Sequence, residues 1–106
     1  MLFERRLWLC AVLALPMGAA PAWAGTIEVT IDKLVYLPAN ITAKVGDTIE
    51  WINKDPIAHT ATVKGGWEVM IPAKKSVTQH LDTVETVDFY CRFHPNMKGK
   101  LTVEAQ

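Results

Sequence analysis

The sequence predicts an all-β protein, an antiparallel Greek-key sandwich of about seven short strands. Three observations carry that expectation. Apolar and polar residues alternate with a period of two in several stretches, Gly, Pro, Asn and Asp punctuate the intervals, and no segment shows the periodicity of a convincing amphipathic helix.

The first strand spans 26–32, where Ile27, Val29 and Ile31 share one face and Glu28, Thr30 and Asp32 the other. Residues 33–40, interrupted by Pro38, read as an irregular edge or crossover. A short strand follows at 41–45, a turn at Gly46-Asp47, and a strand at 48–53 with Ile49 and Trp51 on one face. Asn53-Lys54-Asp55-Pro56 has turn chemistry, and a β-favouring run, 59–63, opens on His59 and ends before Gly65-Gly66. Residues 67–75 show no period and are expected to form a loop. Alternation resumes at 76–82, with Val77 and Leu81 opposed to Ser76, Thr78, His80 and Asp82, so His80 is expected at the surface. It returns at 86–91, where Val87, Phe89 and Cys91 share the inward face, and a last strand at 99–104 turns Leu101 and Val103 inward.

Residues 1–24 are expected to be an export signal rather than part of the fold. Arg5 and Arg6 form the charged start, 7–15 is an apolar run, Pro16 and Gly18 break it, and Ala22-Trp23-Ala24 offers small residues for cleavage after Ala24. The apolar run is far short of the ~20 residues of a spanning helix, so no stable membrane insertion is expected once the signal is removed. Glu4 before the arginines and the strongly apolar run favour the general secretory route over the twin-arginine route.

Residues 25–106 then form one small domain of 82 residues. A domain of this size buries only a little over ~60% of its unfolded surface, so a metal clip would help it. The chain has eleven basic and eleven acidic residues; removing Arg5, Arg6 and Glu4 leaves a charge of −1, which argues against nucleic acid as a partner. Cys10 departs with the signal. Cys91 remains as a lone thiol in an oxidising compartment, and such a thiol is buried, reactive or metal-bound.

Cys91, His94 and Met97 place a thiolate, an imidazole and a thioether on one short loop, and His59 lies on another. Two His, one Cys and a weak Met are the donors of a blue-copper electron-transfer site, in which soft sulfur favours Cu(I) and imidazole serves both oxidation states. Each residue alone has an ordinary reading as core filler or a hydrogen-bonded side chain; the spacing together with His59 is what points to a metal. Zinc competes for Cys and His but uses a thioether poorly. Thr60 can offer a backbone N–H and a hydroxyl towards the Cys91 loop, and Pro95 stiffens the chain beyond His94.

The run from Leu37-Pro38-Ala39-Asn40 through Val45-Gly46-Asp47 to Trp51-Ile52-Asn53, the following His59, and Phe89-Tyr90-Cys91 leading into His94-Pro95-Asn96-Met97-Lys98-Gly99 resemble the cupredoxin family of type 1 blue-copper proteins. The resemblance covers residues 25–106, and the short C-x2-H-P-x-M loop is amicyanin-like. It implies copper ligation by His59, Cys91, His94 and Met97 and periplasmic one-electron transfer by a monomer that is not an enzyme. It also implies transient redox partners: an amine dehydrogenase-like donor and a c-type cytochrome acceptor. By the same resemblance His94 is the electron port, with Phe93, His94 and Pro95 at the centre of an apolar docking patch and Met97, Pro38, Ile57, Met70 and Pro72 at its rim.

Three departures from the family pattern stand out. Thr60 replaces the common Asn, so a different group is expected to tie the ligand loops; Phe93 replaces a Pro before the second His; and the stretch between His59 and Cys91 is short, implying trimmed loops or a missing strand. The alternative reading is a periplasmic copper carrier or resistance protein that turns over no electrons.

Overall fold

A computed structural model describes residues 23–106. The expected export signal, with Cys10 inside it, lies outside the described residues except for Trp23 and Ala24. The described residues form nine strands: β1 (Thr26–Asp32), β2 (Val35–Leu37), β3 (Asn40–Lys44), β4 (Thr48–Asn53), β5 (His59–Thr62), β6 (Glu68–Ile71), β7 (Ser76–His80), β8 (Glu85–Tyr90) and β9 (Lys98–Glu104). One sheet has the order β2-β1-β4-β7 and the other β3-β9-β8-β5-β6. The molecule is an all-β sandwich.

Two details differ from the sequence expectation. The sheets are mixed, because β1 pairs with β4 and β3 with β9 in parallel. Alternation dictates which face a residue takes, not which strand lies beside it. The chain leaves β1, passes through the other sheet at β3, and returns to β4 running in the same direction, a connection no local pattern encodes.

The count is nine because two strands were too short to show a period. β2 is a three-residue edge whose only buried side chain is Tyr36, and β6 has four residues before Pro72 stops it. Both β6 and β7 fit between His59 and Cys91 because the connections 63–67, 72–75 and 81–84 run only four or five residues.

Strand parity otherwise builds the core. Val29, Ile31, Ile49, Trp51, Phe89, Leu101 and Val103 are buried from alternating positions. Tyr36, Trp51 and Phe89 meet edge to face, with centroids 4.9–6.0 Å apart, and bridge the two sheets. Gly99 lies against Phe89: a Cβ there would sit 2.8 Å from Phe89 Cε1 and 2.6 Å from the Ala39 carbonyl oxygen.

At the far end, Asp47 closes the β3–β4 turn by accepting the Gly25 and Lys44 N–H groups at 2.8 and 2.9 Å. These bonds hold its carboxyl below the ordinary aspartate range. The opposite end gathers the turn at Lys33 and Leu34 and the loops 54–58, 72–75 and 91–97. Lys54 N–H donates to the Ile31 carbonyl, Lys74 N–H to that of Asp55, and Asn53 N–H to that of Lys75. β5 opens at this end, and β1, β4 and β8 finish there.

Replacing Gly99 with Ala should cost about 1–3 kcal/mol, because the buried Phe89 ring and the Ala39 carbonyl have no free space to yield; urea unfolding measures the loss. Asp47→Asn should lower the unfolding midpoint at neutral pH. The folded carboxyl titrates below its unfolded counterpart, so its stabilisation is complete above roughly pH 4. The gap between variant and wild type should therefore close as pH falls through the depressed folded value.

Candidate metal centre

His59 opens β5 and is fully buried. Its Nε2 lies 2.8 Å from Asp55 Oδ2, so that nitrogen carries the proton and Nδ1 keeps its lone pair. Asp55 is itself buried and also accepts the backbone N–H groups of Lys33 at 2.7 Å and Leu34 at 3.0 Å. Burial pushes its carboxyl up, but the two backbone donors and His59 outweigh this and hold it below the ordinary range. Asn53 supports the loop from beneath, its side-chain amide donating to the carbonyls of Ile57, Ile71 and Pro72 and its oxygen accepting Asp55 N–H.

Cys91 follows β8 on the face shared with Phe89 and is fully buried. Its Sγ lies 3.7 Å from His59 Nδ1 and 3.7 Å from His94 Nδ1. The donor atoms of His59, Cys91 and His94 all lie within 4.8 Å of one another, and the two imidazole rings meet at 62°. Donors 3.7 Å apart are bridged by one ion at ordinary metal–donor lengths of about 2.0–2.3 Å. The donor set fits a metal ion.

The loop 91–97 is closed by its own backbone. His94 N–H donates to the Cys91 carbonyl, Met97 N–H to that of His94, and Cys91 N–H to that of Met97. Met97 is thereby turned into the interior, 4% exposed, while His94 is half-buried and Phe93 is 45% exposed. Leu34, Phe93, His94, Pro95, Asn96 and Met97 line a shallow groove over the His94 edge. Ile57 and Met70 are also exposed apolar residues of the loops and strands at this end, whereas Leu34 was not foreseen in the rim. His80 is exposed on β7, beside Thr48 and Asp82.

Thr60 joins the two ligand segments. Its N–H points at Cys91 Sγ at 3.4 Å, and its hydroxyl accepts the Arg92 N–H at 2.8 Å. A hydroxyl, in place of the family's amide, makes the tie. Tyr36 supports Thr60 from the core by donating its phenol to the Thr60 carbonyl. Burial, with a smaller contribution from Cys91, raises the Tyr36 phenol well above its ordinary value, so it stays a neutral donor.

Sequence reasoning missed Asp55, which was read only as turn chemistry. Its spacing four residues before His59, in a loop, was the available signal. It also missed Glu68 and Arg92, which form a bidentate ion pair at 2.8 and 2.9 Å. Their 24-residue separation left no local trace.

Known proteins place this arrangement. A family model described as a cupredoxin-like domain matches residues 6–103. The chain is 38% identical over 96 residues to amicyanin of Paracoccus denitrificans, covering 84% of this chain and 73% of that protein. It is 30% identical over 105 residues to amicyanin-alpha of Methylorubrum extorquens, covering 89% and 88%. Among solved structures it is similar to a reduced proline-to-phenylalanine mutant of amicyanin, at 31% identity and a TM-score of 0.66 over 74% of this chain and 82% of that one. It is likewise similar to the Cu(I) form of a methionine-to-glutamine amicyanin mutant, at 29% identity and a TM-score of 0.67 over 74% and 82%. With its sandwich and its His-Cys-His cluster in one arrangement, the chain belongs to the cupredoxin family and is amicyanin-like.

Proposed function

We propose that this chain is a periplasmic type 1 blue-copper electron carrier, with His59, Cys91 and His94 as strong ligands and Met97 as a weak axial ligand. The observation that carries the reading is a buried thiol with an imidazole Nδ1 at 3.7 Å on either side. Copper, when bound, supplies a one-electron couple between Cu(I) and Cu(II).

The residues supply the rest. Asp55 holds the His59 ring so that only Nδ1 faces the thiol. The strand and Thr60 hold Cys91 away from water, where oxidants and disulfide partners do not reach it. A thioether in fourth place suits copper and suits zinc poorly. Held this way, the donors keep one arrangement in both oxidation states, and little reorganisation accompanies transfer.

His94 is the half-exposed donor, and the groove around it is apolar. That supports electron exchange through its ring edge with proteins that dock briefly on a small patch centred on Phe93, His94 and Pro95. An amine dehydrogenase-like donor and a c-type cytochrome acceptor are the partners the resemblance supports. The export signal expected at residues 1–24 supports periplasmic work, and no substrate chemistry is assigned to the site.

Adding Cu(II) to the metal-free protein should give an intense blue thiolate-to-copper absorption, and Cys91→Ala should lose the band while keeping the fold by circular dichroism. A wild-type protein without that band would refute the copper reading. Phe93→Glu should leave the blue spectrum unchanged but slow transfer to a c-type cytochrome by roughly tenfold, about 1.4 kcal/mol of barrier. Stopped-flow kinetics test this, and an unchanged rate removes Phe93 from the docking patch.

A further inference from the structure

Arg92, the residue directly after the buried thiol, is held from both its main chain and its side chain by one closed ring of hydrogen bonds. Its backbone N–H donates to Thr60 Oγ1 at 2.8 Å. Thr60 Oγ1 lies 2.8 Å from Thr62 Oγ1, and Thr62 donates to Glu68 Oε1 at 2.8 Å. Glu68 returns to Arg92, accepting Nε on one oxygen at 2.8 Å and Nη2 on the other at 2.9 Å.

Proton counting fixes the direction of the ring. Thr62 has one hydroxyl hydrogen, and Glu68 takes it, so Thr60 must be the donor to Thr62. That leaves the Thr60 oxygen lone pairs free to accept from Arg92. The ring thus has one polarity, set by the only anion in it. Without the Glu68 carboxylate, either hydroxyl could rotate and Thr60 could turn its hydrogen towards Arg92 N–H instead of its lone pair.

Two features tie this ring to the centre. Thr60, whose hydroxyl the ring orients, also directs its N–H at Cys91 Sγ. The Arg92 guanidinium, held flat by its two-point contact with Glu68, sits 4.9 Å from the centre of the Phe93 ring in the docking patch. Thr60 and Thr62 are buried, while Glu68 and Arg92 are at the surface. A surface ion pair of this kind ordinarily contributes little to stability. Its value here is positional.

We propose that Glu68, which is no candidate ligand but lies on β6 beside β5, is a positioning residue for the metal loop: through Thr62 and Thr60 it locks Arg92 against β5, keeping the Thr60 N–H on the Cys91 sulfur and Phe93 in its place beside His94. The inference rests on the copper reading above. An N–H directed at a thiolate withdraws charge from it and favours the reduced state, so loosening the ring should lower the reduction potential as well as speed metal loss.

The test compares wild type with Glu68→Ala, Thr62→Val, Thr60→Val and Thr60→Ser, with Glu104→Gln at the opposite end as control. In the metal-free proteins, hydrogen exchange of the Arg92 amide should be at least about tenfold faster in the first three variants, near wild type in Thr60→Ser, and unchanged in the control. In the copper-loaded proteins, loss of Cu(I) to a chelator should accelerate by a similar factor in the same three, and their potentials should fall. Unchanged exchange of β4 amides shows that a variant is folded; Thr60→Ser, which keeps the hydroxyl, guards against a fold lost in the others. Arg92 exchange within twofold of wild type overturns the ring, and faster exchange without faster copper loss overturns its link to the centre. A wild-type protein that never turns blue refutes the underlying copper reading instead, and the amide exchange still decides the ring.

Discussion

The ligand end of the sandwich depends on one carboxylate. Asp55 accepts from Lys33, Leu34 and His59 through its side chain and from Lys74 through its carbonyl. Lys33, Leu34 and Lys74 are also, among the described residues, the non-glycine ones with positive φ, at 53°, 65° and 60°. Such conformations cost a side-chain-bearing residue on the order of 1 kcal/mol or more each. All three are therefore strained residues whose N–H groups are satisfied by Asp55, so the strain of the β1–β2 turn and of the 72–75 loop is offset at the same residue that orients His59.

This explains why the turn carries Leu34 where a glycine or asparagine would fit its backbone better. A charged acceptor bonded to two successive N–H groups makes the left-handed pair tenable. Leu34 is then carried to the groove beside His94. The same carboxylate thus settles two things, the tautomer of a buried donor and the shape of the surface around an exposed one.

Much of this was legible in the sequence, and the limits follow from physics. Period-two alternation assigned Val29, Ile31, Ile49, Trp51, Phe89 and Leu101 to the core because a pleated strand leaves no choice of face. The same parity aimed Cys91 inward and His80 outward. Pairing was not legible: nothing in Thr26–Asp32 announces that its neighbour is β4, running parallel, and strands as short as β2 and β6 show no period at all. The candidate donors stood out in the sequence because thiol, imidazole and thioether are rare and chemically loud, and the fold brings the His59, Cys91 and His94 donor atoms together. Asp55, Glu68 and Arg92 are common surface residue types, and only the fold gives them a direction.

The three strong donors are held with graded firmness. His59 is fixed by a buried hydrogen bond from its Nε2 to Asp55 in the loop before β5, and Cys91 by β8 and by Thr60 on the adjacent strand β5. His94 has only the short backbone bonds of its own loop and the packing of Phe93 and Pro95 around it. A centre that must keep one geometry in two oxidation states needs its buried donors fixed by the scaffold, while the donor that meets a partner must stay at the surface, where scaffold contacts are scarce. The loop solves this by being short: with Cys91 anchored at one end and Met97 buried at the other, His94 has little conformational freedom left to lose. The exposed donor inherits its order from its buried neighbours, so any group that steadies Cys91 or Arg92 also steadies the residue through which electrons would pass.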